Sequence, residues 1–163
     1  MKKVLFILLI LIFSGCRYFN TDPADGINFK NISEKPDIDE IIGTWEVDKF
    51  TYDFAAENGY DSIKIEMIIK NDSTFEALNF PDFINVFKEN KEHKLYDLKG
   101  KWEIKKHYNK KFWVLNLIFE DSELYKGGLS TSYSLYLKNN KLVIWNFIGD
   151  PDSGERFLFE KKN

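Results

Sequence analysis

Covalent and acid–base chemistry needs a nucleophile or a titratable group with a partner, and this chain of 163 residues has few. It holds one cysteine, Cys16, and two histidines, His93 and His107. His93 lies in Lys-Glu-His-Lys and His107 in Lys-Lys-His-Tyr, each among lysines, and neither beside an acid and a nucleophile. They read as solvated groups at strand or loop ends, and their spacing is not that of a metal pair. The run Asp150-Pro151-Asp152-Ser153-Gly154-Glu155 has the acids of a calcium-loop opening. Its glycine comes one residue early and no carboxylate closes the far end, so a tight turn with Pro after Asp explains it. Lys99, Lys101, Lys105, Lys106, Lys110 and Lys111 make one hairpin basic: a solvated face, or a patch for anionic headgroups or glycans. No catalytic residue, no metal ligand and no cofactor is expected, and the chain is not expected to be an enzyme.

Cys16 has a context that the histidines lack. Two lysines precede an unbroken apolar run over residues 4–13, followed by Ser14, Gly15 and the cysteine. A helix of about ten residues rises roughly 15 Å, half the hydrocarbon thickness of a bilayer, so the run is too short to remain as a span. Basic residues before it and small ones after it match a cleaved secretory leader. Phe13-Ser14-Gly15-Cys16 resembles the lipobox of bacterial lipoproteins. The resemblance implies that Cys16 receives a diacylglyceryl thioether, becomes the new N-terminus on cleavage and carries a palmitate-type N-acyl chain. Phe13 stands where that family most often has Leu. Each buried acyl CH₂ contributes about 0.8 kcal/mol, so two or three chains hold a protein on a membrane. The expected address is the cell envelope, with the domain periplasmic or at the surface. Arg17, where Asp would signal inner-membrane retention, leans towards the outer membrane of a Gram-negative cell.

With Cys16 lipidated, the exported protein has no disulfide and must be held by packing. The composition allows it: 44% of residues are hydrophobic and 17% aromatic, fifteen of them Phe, against four Pro. The leader takes Lys2 and Lys3 with it, leaving 21 basic against 26 acidic side chains, a net charge of −5. Such a balance makes nucleic acid a poor partner. Three parts follow: a leader over 1–15, a lipidated cysteine with a flexible tether over 16–40, and one folded domain over 41–163. The tether reading rests on Pro23, Gly26 and Pro36 among scattered acids.

From residue 41 onward the dominant period is two, which predicts an antiparallel all-β domain of about eight strands in hairpin order. The strands are expected over 43–53, 62–70, 74–80, 95–105, 112–120, 130–138, 141–148 and 155–161. Leu98, Gly100, Trp102 and Ile104 alternate with Lys99, Lys101, Glu103 and Lys105, a strand with one wet face. Asn139-Asn140 suits a two-residue hairpin. In the long connection over 81–92, Phe83, Ile84, Val86 and Phe87 fall at helical spacing after Asp82, a short helix acting as a lid over an opening or as a plug for one end of the core. Residues 112–119 and 142–147 are apolar on both faces, so their outer faces need a cover from the helix, the tether or a partner.

Eight such strands close most simply into an up-and-down barrel, which abolishes exposed edges; a sandwich is the alternative. Gly43-Thr44-Trp45 at the start of the first strand resembles the G-x-W motif of lipocalins and of bacterial lipocalin-like lipoproteins. That resemblance implies that Gly43 lets the chain bend into the barrel floor and that Trp45 plugs the closed end beneath an arginine, for which Arg156 is the candidate. It further implies a small apolar or amphipathic ligand in the barrel mouth, shielded by Phe83 and Phe87, with Trp102, Tyr133 or Trp145 among the lining residues. The bulk of Ile63, Ile65, Met67, Trp102, Ile104, Leu135 and Leu137 argues instead for a filled interior, or for a cavity confined to the mouth. The other expectation is therefore a protein-interaction module, of the kind seen in lysozyme-inhibitor and immunity lipoproteins.

Overall fold

The computed structural model describes residues 29–60, 64–82, 93–107, 112–150 and 154–162. Cys16, Phe83, Phe87 and the helix expected within 81–92 lie outside the described residues, apart from Pro81 and Asp82.

The elements run β1 (Phe29–Asn31), α1 (Ile38–Ile41), β2 (Gly43–Val47), α2 (Lys49–Glu57), β3 (Glu66–Ile69) and β4 (Thr74–Pro81). Then come β5 (Leu95–Lys106), β6 (Trp113–Phe119), β7 (Leu129–Lys138), β8 (Lys141–Phe147) and β9 (Arg156–Lys161). Strands β2 to β9 pair antiparallel in chain order, and β9 returns to β2 with Trp45 opposite Lys161, closing an eight-stranded barrel. The barrel, not the sandwich, is the observed fold. Closure leaves no ladder of the barrel open to a second chain, which a β domain without a disulfide needs.

Local chemistry accounts for the turns. Asn139 and Asn140 both adopt positive φ, 53° and 60°, in the two-residue hairpin between β7 and β8. The β3–β4 turn is held by Asp72, whose carboxylate accepts the Thr74 N–H at 3.0 Å. A bulge between Ala77 and Phe80 puts Asn79 at φ 56° and turns Phe80 back to the interior.

Two expectations need correction. The stretch 43–53 is not one strand: β2 stops at Val47, and Lys49–Glu57 is a helix. Asp48 is its N-cap, accepting the Thr51 N–H at 2.9 Å and the Thr51 hydroxyl at 2.8 Å, and that pair outweighs the strand preference of Phe50, Thr51 and Tyr52. The tether assigned to 16–40 is too long: β1 pairs with β7, Phe29 opposite Lys138, and α1 closes one end of the barrel. Glu40 starts α1 by accepting the Asp37 N–H at 2.9 Å.

The core is the barrel interior. Trp45, Met67, Phe75, Phe80, Phe157 and Phe159 are fully buried there. Phe80, Phe157 and Phe159 stack with ring centres 5.7–6.0 Å apart, and Phe75 meets Phe119 edge-on at 5.0 Å. Gly100 shows how tight the filling is, because a Cβ there would lie 2.1 Å from the Ile118 carbonyl oxygen and 2.7 Å from the Phe75 ring. A second, smaller core lies on the outer wall: Val143, Trp145 and Leu158, packed against Phe29, Tyr136 and Phe147. Phe29 of β1 meets Trp145 edge-on at 4.7 Å, so the doubly apolar strand β8 is covered from within the chain.

Candidate functional site

Alternation along each strand decides which side chains share a space. In β5, Leu98, Gly100 and Trp102 are buried, as the period-two pattern predicts. Trp102 sits near the α1 end of the barrel, its indole N–H donating to the Lys70 carbonyl at 2.9 Å. Tyr133 of β7 is wholly buried within the same core. Burial pushes its phenol well up from the ordinary tyrosine value, against a smaller opposing effect of the Asn146 hydrogen bond. Tyr125 is likewise pushed up to about 12 by burial alone, so both are neutral hydrogen-bonding groups. Trp145 faces the other way, into the outer cluster with Val143 and Leu158. The expected lining residues are thus not gathered: Trp102 and Tyr133 belong to the interior, Trp145 to the outer wall, and Phe83 and Phe87 lie outside the described residues.

The closed end is built from α1, β2 and the end of β9. Trp45 is fully buried and its indole N–H donates to the Ile41 carbonyl at 2.8 Å. The cation over its ring is Lys161, with Nζ 5.9 Å from the ring centre; Arg156 is not there. Residues 157 and 159 of β9 point inward, so Arg156 is outward by alternation, and its guanidinium lies over Phe50 at 3.9 Å and Trp145 at 5.3 Å. Lys161 Nζ also donates to the Asp39 and Glu40 carbonyls, at 2.8 and 3.0 Å, tying α1 across the floor. Gly43 has φ +134°, and a Cβ on it would stand 2.9 Å from Lys161 Cε, so glycine at this position leaves the lysine its path.

Outside this floor, a cleft of about 560 Å³ lies between Glu40, the β7–β8 turn and the last residues of β9. Leu142 and Val143 give it an apolar wall, and Lys138, Lys141 and Lys161 a basic edge. Lys138 is committed to Glu160 at 2.7 Å, with the Asp48 carboxylate at 3.8 Å.

The opposite end carries a buried carboxylate. Asp82 is buried and accepts the Tyr60 hydroxyl, and the Asp82 N–H donates to the Lys94 carbonyl at 3.0 Å. The Tyr60 ring lies 5.5 Å from that of His93. This places His93 before β5, and His107, stacked on Phe112 at 4.8 Å, after it, so the two histidines stand at opposite ends of one strand. Among the described residues no three of His, Cys, Asp and Glu come together as metal ligands would.

Sequence reasoning missed Lys161 and the pairing of Phe50 with Arg156. The first had a usable signal, a lysine two residues beyond the inward Phe159; the second depended on α2, which was read as strand. No family model, no curated protein and no solved structure matches the chain.

Proposed function

We propose that this is a non-enzymatic, lipid-anchored protein of the cell envelope, held to a membrane through Cys16, whose filled barrel serves as a protein-interaction module. The observation that carries the reading is the interior: side chains as large as Trp45, Phe75, Phe80, Tyr133, Phe157 and Phe159 occupy it with almost no exposed surface. An eight-stranded barrel has room for such a packing or for one small ligand, not both. What such a barrel offers to the outside is its wall and loops, and fold alone does not choose their partner. The resemblance to lipocalin-like lipoproteins keeps its support from the floor, where Gly43, Trp45 and a cation from the last strand converge, with Lys161 in the cation's place. The leader and lipobox residues at 1–16 support the anchor.

A second reading is favoured by the cleft beside the floor. Its volume of about 560 Å³ is that of a small-ligand site, and its lining joins Leu142 and Val143 to charges of both signs, Lys138, Lys141 and Lys161 beside Glu40 and Glu160, as an amphipathic ligand would require. Native mass spectrometry of the full chain, recovered in mild detergent from the envelope of its own host, separates the two. A bare lipidated polypeptide mass is expected for the interaction module. A small mass released on denaturation would overturn that reading in favour of ligand carriage.

A further inference from the structure

Arg156 is the only arginine of the folded domain, and its place on the outer wall is unlike that of the lysines. It is 8% exposed, whereas Lys49 and Lys105 stand in solvent with carboxylate partners. The guanidinium lies against two rings, Phe50 at 3.9 Å and Trp145 at 5.3 Å, and its Nε is enclosed without an acceptor. Rings attract a cation through their quadrupole but offer no lone pair to a donor.

The nearby acid does not fill that need. Asp48 uses Oδ1 to accept the Thr51 N–H and hydroxyl, and its Oδ2 lies 3.8 Å from Lys138. Phe50 belongs to the first turn of α2, the end of a helix that favours negative charge. An enclosed Nε–H without an acceptor is costly, and burial holds Arg156 below its ordinary value, with Asp48 opposing as the smaller effect. Five donors in a planar fork match one class of group best, a bidentate oxyanion. Beside the fork, Phe50 remains 42% exposed, a large apolar side chain with solvent on one side. An arginine flanked by aromatic residues is the composition of an interface hot spot.

We propose that Arg156, framed by Phe50 and Trp145, is an oxyanion site that takes the carboxylate of an acidic side chain on a protein partner, whose apolar neighbours cover Phe50. The inference rests on the interaction-module reading for the size of that partner, but the site can be probed alone. The chain has two arginines, Arg17 and Arg156, so its side-chain Nε–Hε spectrum holds two signals, and Arg156→Lys assigns them. Phenylacetate, which joins a carboxylate to an apolar ring, is titrated into the full chain in detergent, with phenylacetamide as the neutral isostere and inorganic phosphate as the bare anion.

A saturable shift of the Arg156 signal by millimolar phenylacetate, absent with phenylacetamide and weaker with phosphate, is the expected result. A signal that phenylacetate leaves in place, or that the amide moves equally, overturns the site. Tighter binding of phosphate than of phenylacetate assigns it to a free inorganic anion and overturns the protein partner. The two failures stay distinct. A small molecule found by native mass spectrometry, with Arg156 still responding to phenylacetate, removes the interaction module and leaves the oxyanion site; silence at Arg156 with a bare barrel does the reverse.

Discussion

Lys161 and Glu46 do opposite kinds of work within one ladder. Lys161 spends its charge on two carbonyls and on the Trp45 ring, holding α1 over the barrel floor. Lys161→Met keeps the stem and removes both hydrogen bonds, which should cost about 1–2 kcal/mol and lower the melting temperature by roughly 3–8 °C. Tryptophan emission should shift with it, because the Trp45 ring loses its cover; Arg156→Met should leave the Trp45 component of that emission unmoved. Glu46 lies on the wet face of β2, with Lys162 Nζ at 2.6 Å and Lys64 Nζ at 3.1 Å. Those two hydrogen-bonded lysines, Lys162 first, hold its carboxyl at about 2 instead of the ordinary 4.5. A depressed carboxylate favours the folded state above its unfolded value of 4.5, and that contribution drains away as pH falls towards 2. Melting curves of the parent and Glu46→Gln should therefore differ at pH 7, converge between pH 4.5 and 2, and draw together in high salt at any pH, since the cluster is exposed. Curves that stay parallel down to pH 2 would show that Glu46 carries none of the acid sensitivity.

Helix α2 is the element on which the outer wall depends, and it hangs on one hydroxyl. Thr51 Oγ1 donates to Asp48 Oδ1 at 2.8 Å and accepts the Leu158 N–H at 3.1 Å, so the same atom closes the helix cap and docks the helix on β9. Thr51→Val preserves shape but leaves a buried N–H and a buried carboxylate oxygen short of a partner, which should destabilise by about 1–3 kcal/mol. Thr51→Ser should recover most of it; equal losses in both variants would point to packing instead. The strands around this helix were legible because each repeats one instruction, as Leu98, Gly100 and Trp102 do against Lys99 and Lys101. The helix was not, because Lys49 to Asp53 alternates polar and aromatic residues as a strand would, while its determinants are the Asp48 cap and a stop at Asn58 and Gly59, where Gly59 takes φ +87°. In the same way Pro36 and the acids around α1 read as tether, although Ile41 beyond them is fully buried under Trp45. The candidate site was the least legible part: which face Arg156 and Trp145 occupy follows from the phase of the ladders β8–β9 and β9–β2, and a one-residue change of register exchanges inside for outside.

At the scale of the whole molecule, the barrel closes on itself and leaves its N-terminal strand as the handle. Phe29 pairs opposite Lys138, at the end of β7 that the floor also occupies, so the first described residue stands at the closed end. Twelve residues separate Cys16 from Phe29, and fully extended they reach at most about 45 Å, which under the proposed function bounds the distance between the bilayer and that end of the barrel. Among the described residues no helix is long and apolar enough to cross a membrane, and the proposed function assigns attachment to acyl chains on Cys16. Cys16→Ala should then move the protein from the membrane pellet to the soluble fraction of its host. The melting temperature should hold within about 1 °C, since the contacts described above begin at Phe29 and none of them uses the anchor. The paired readouts keep the outcomes apart. Release with an unchanged melt is what an acyl anchor on an independently packed barrel requires. Retention in the pellet would transfer membrane binding to the domain itself, and release with a lowered melt would mean that the leader-proximal segment packs into the fold.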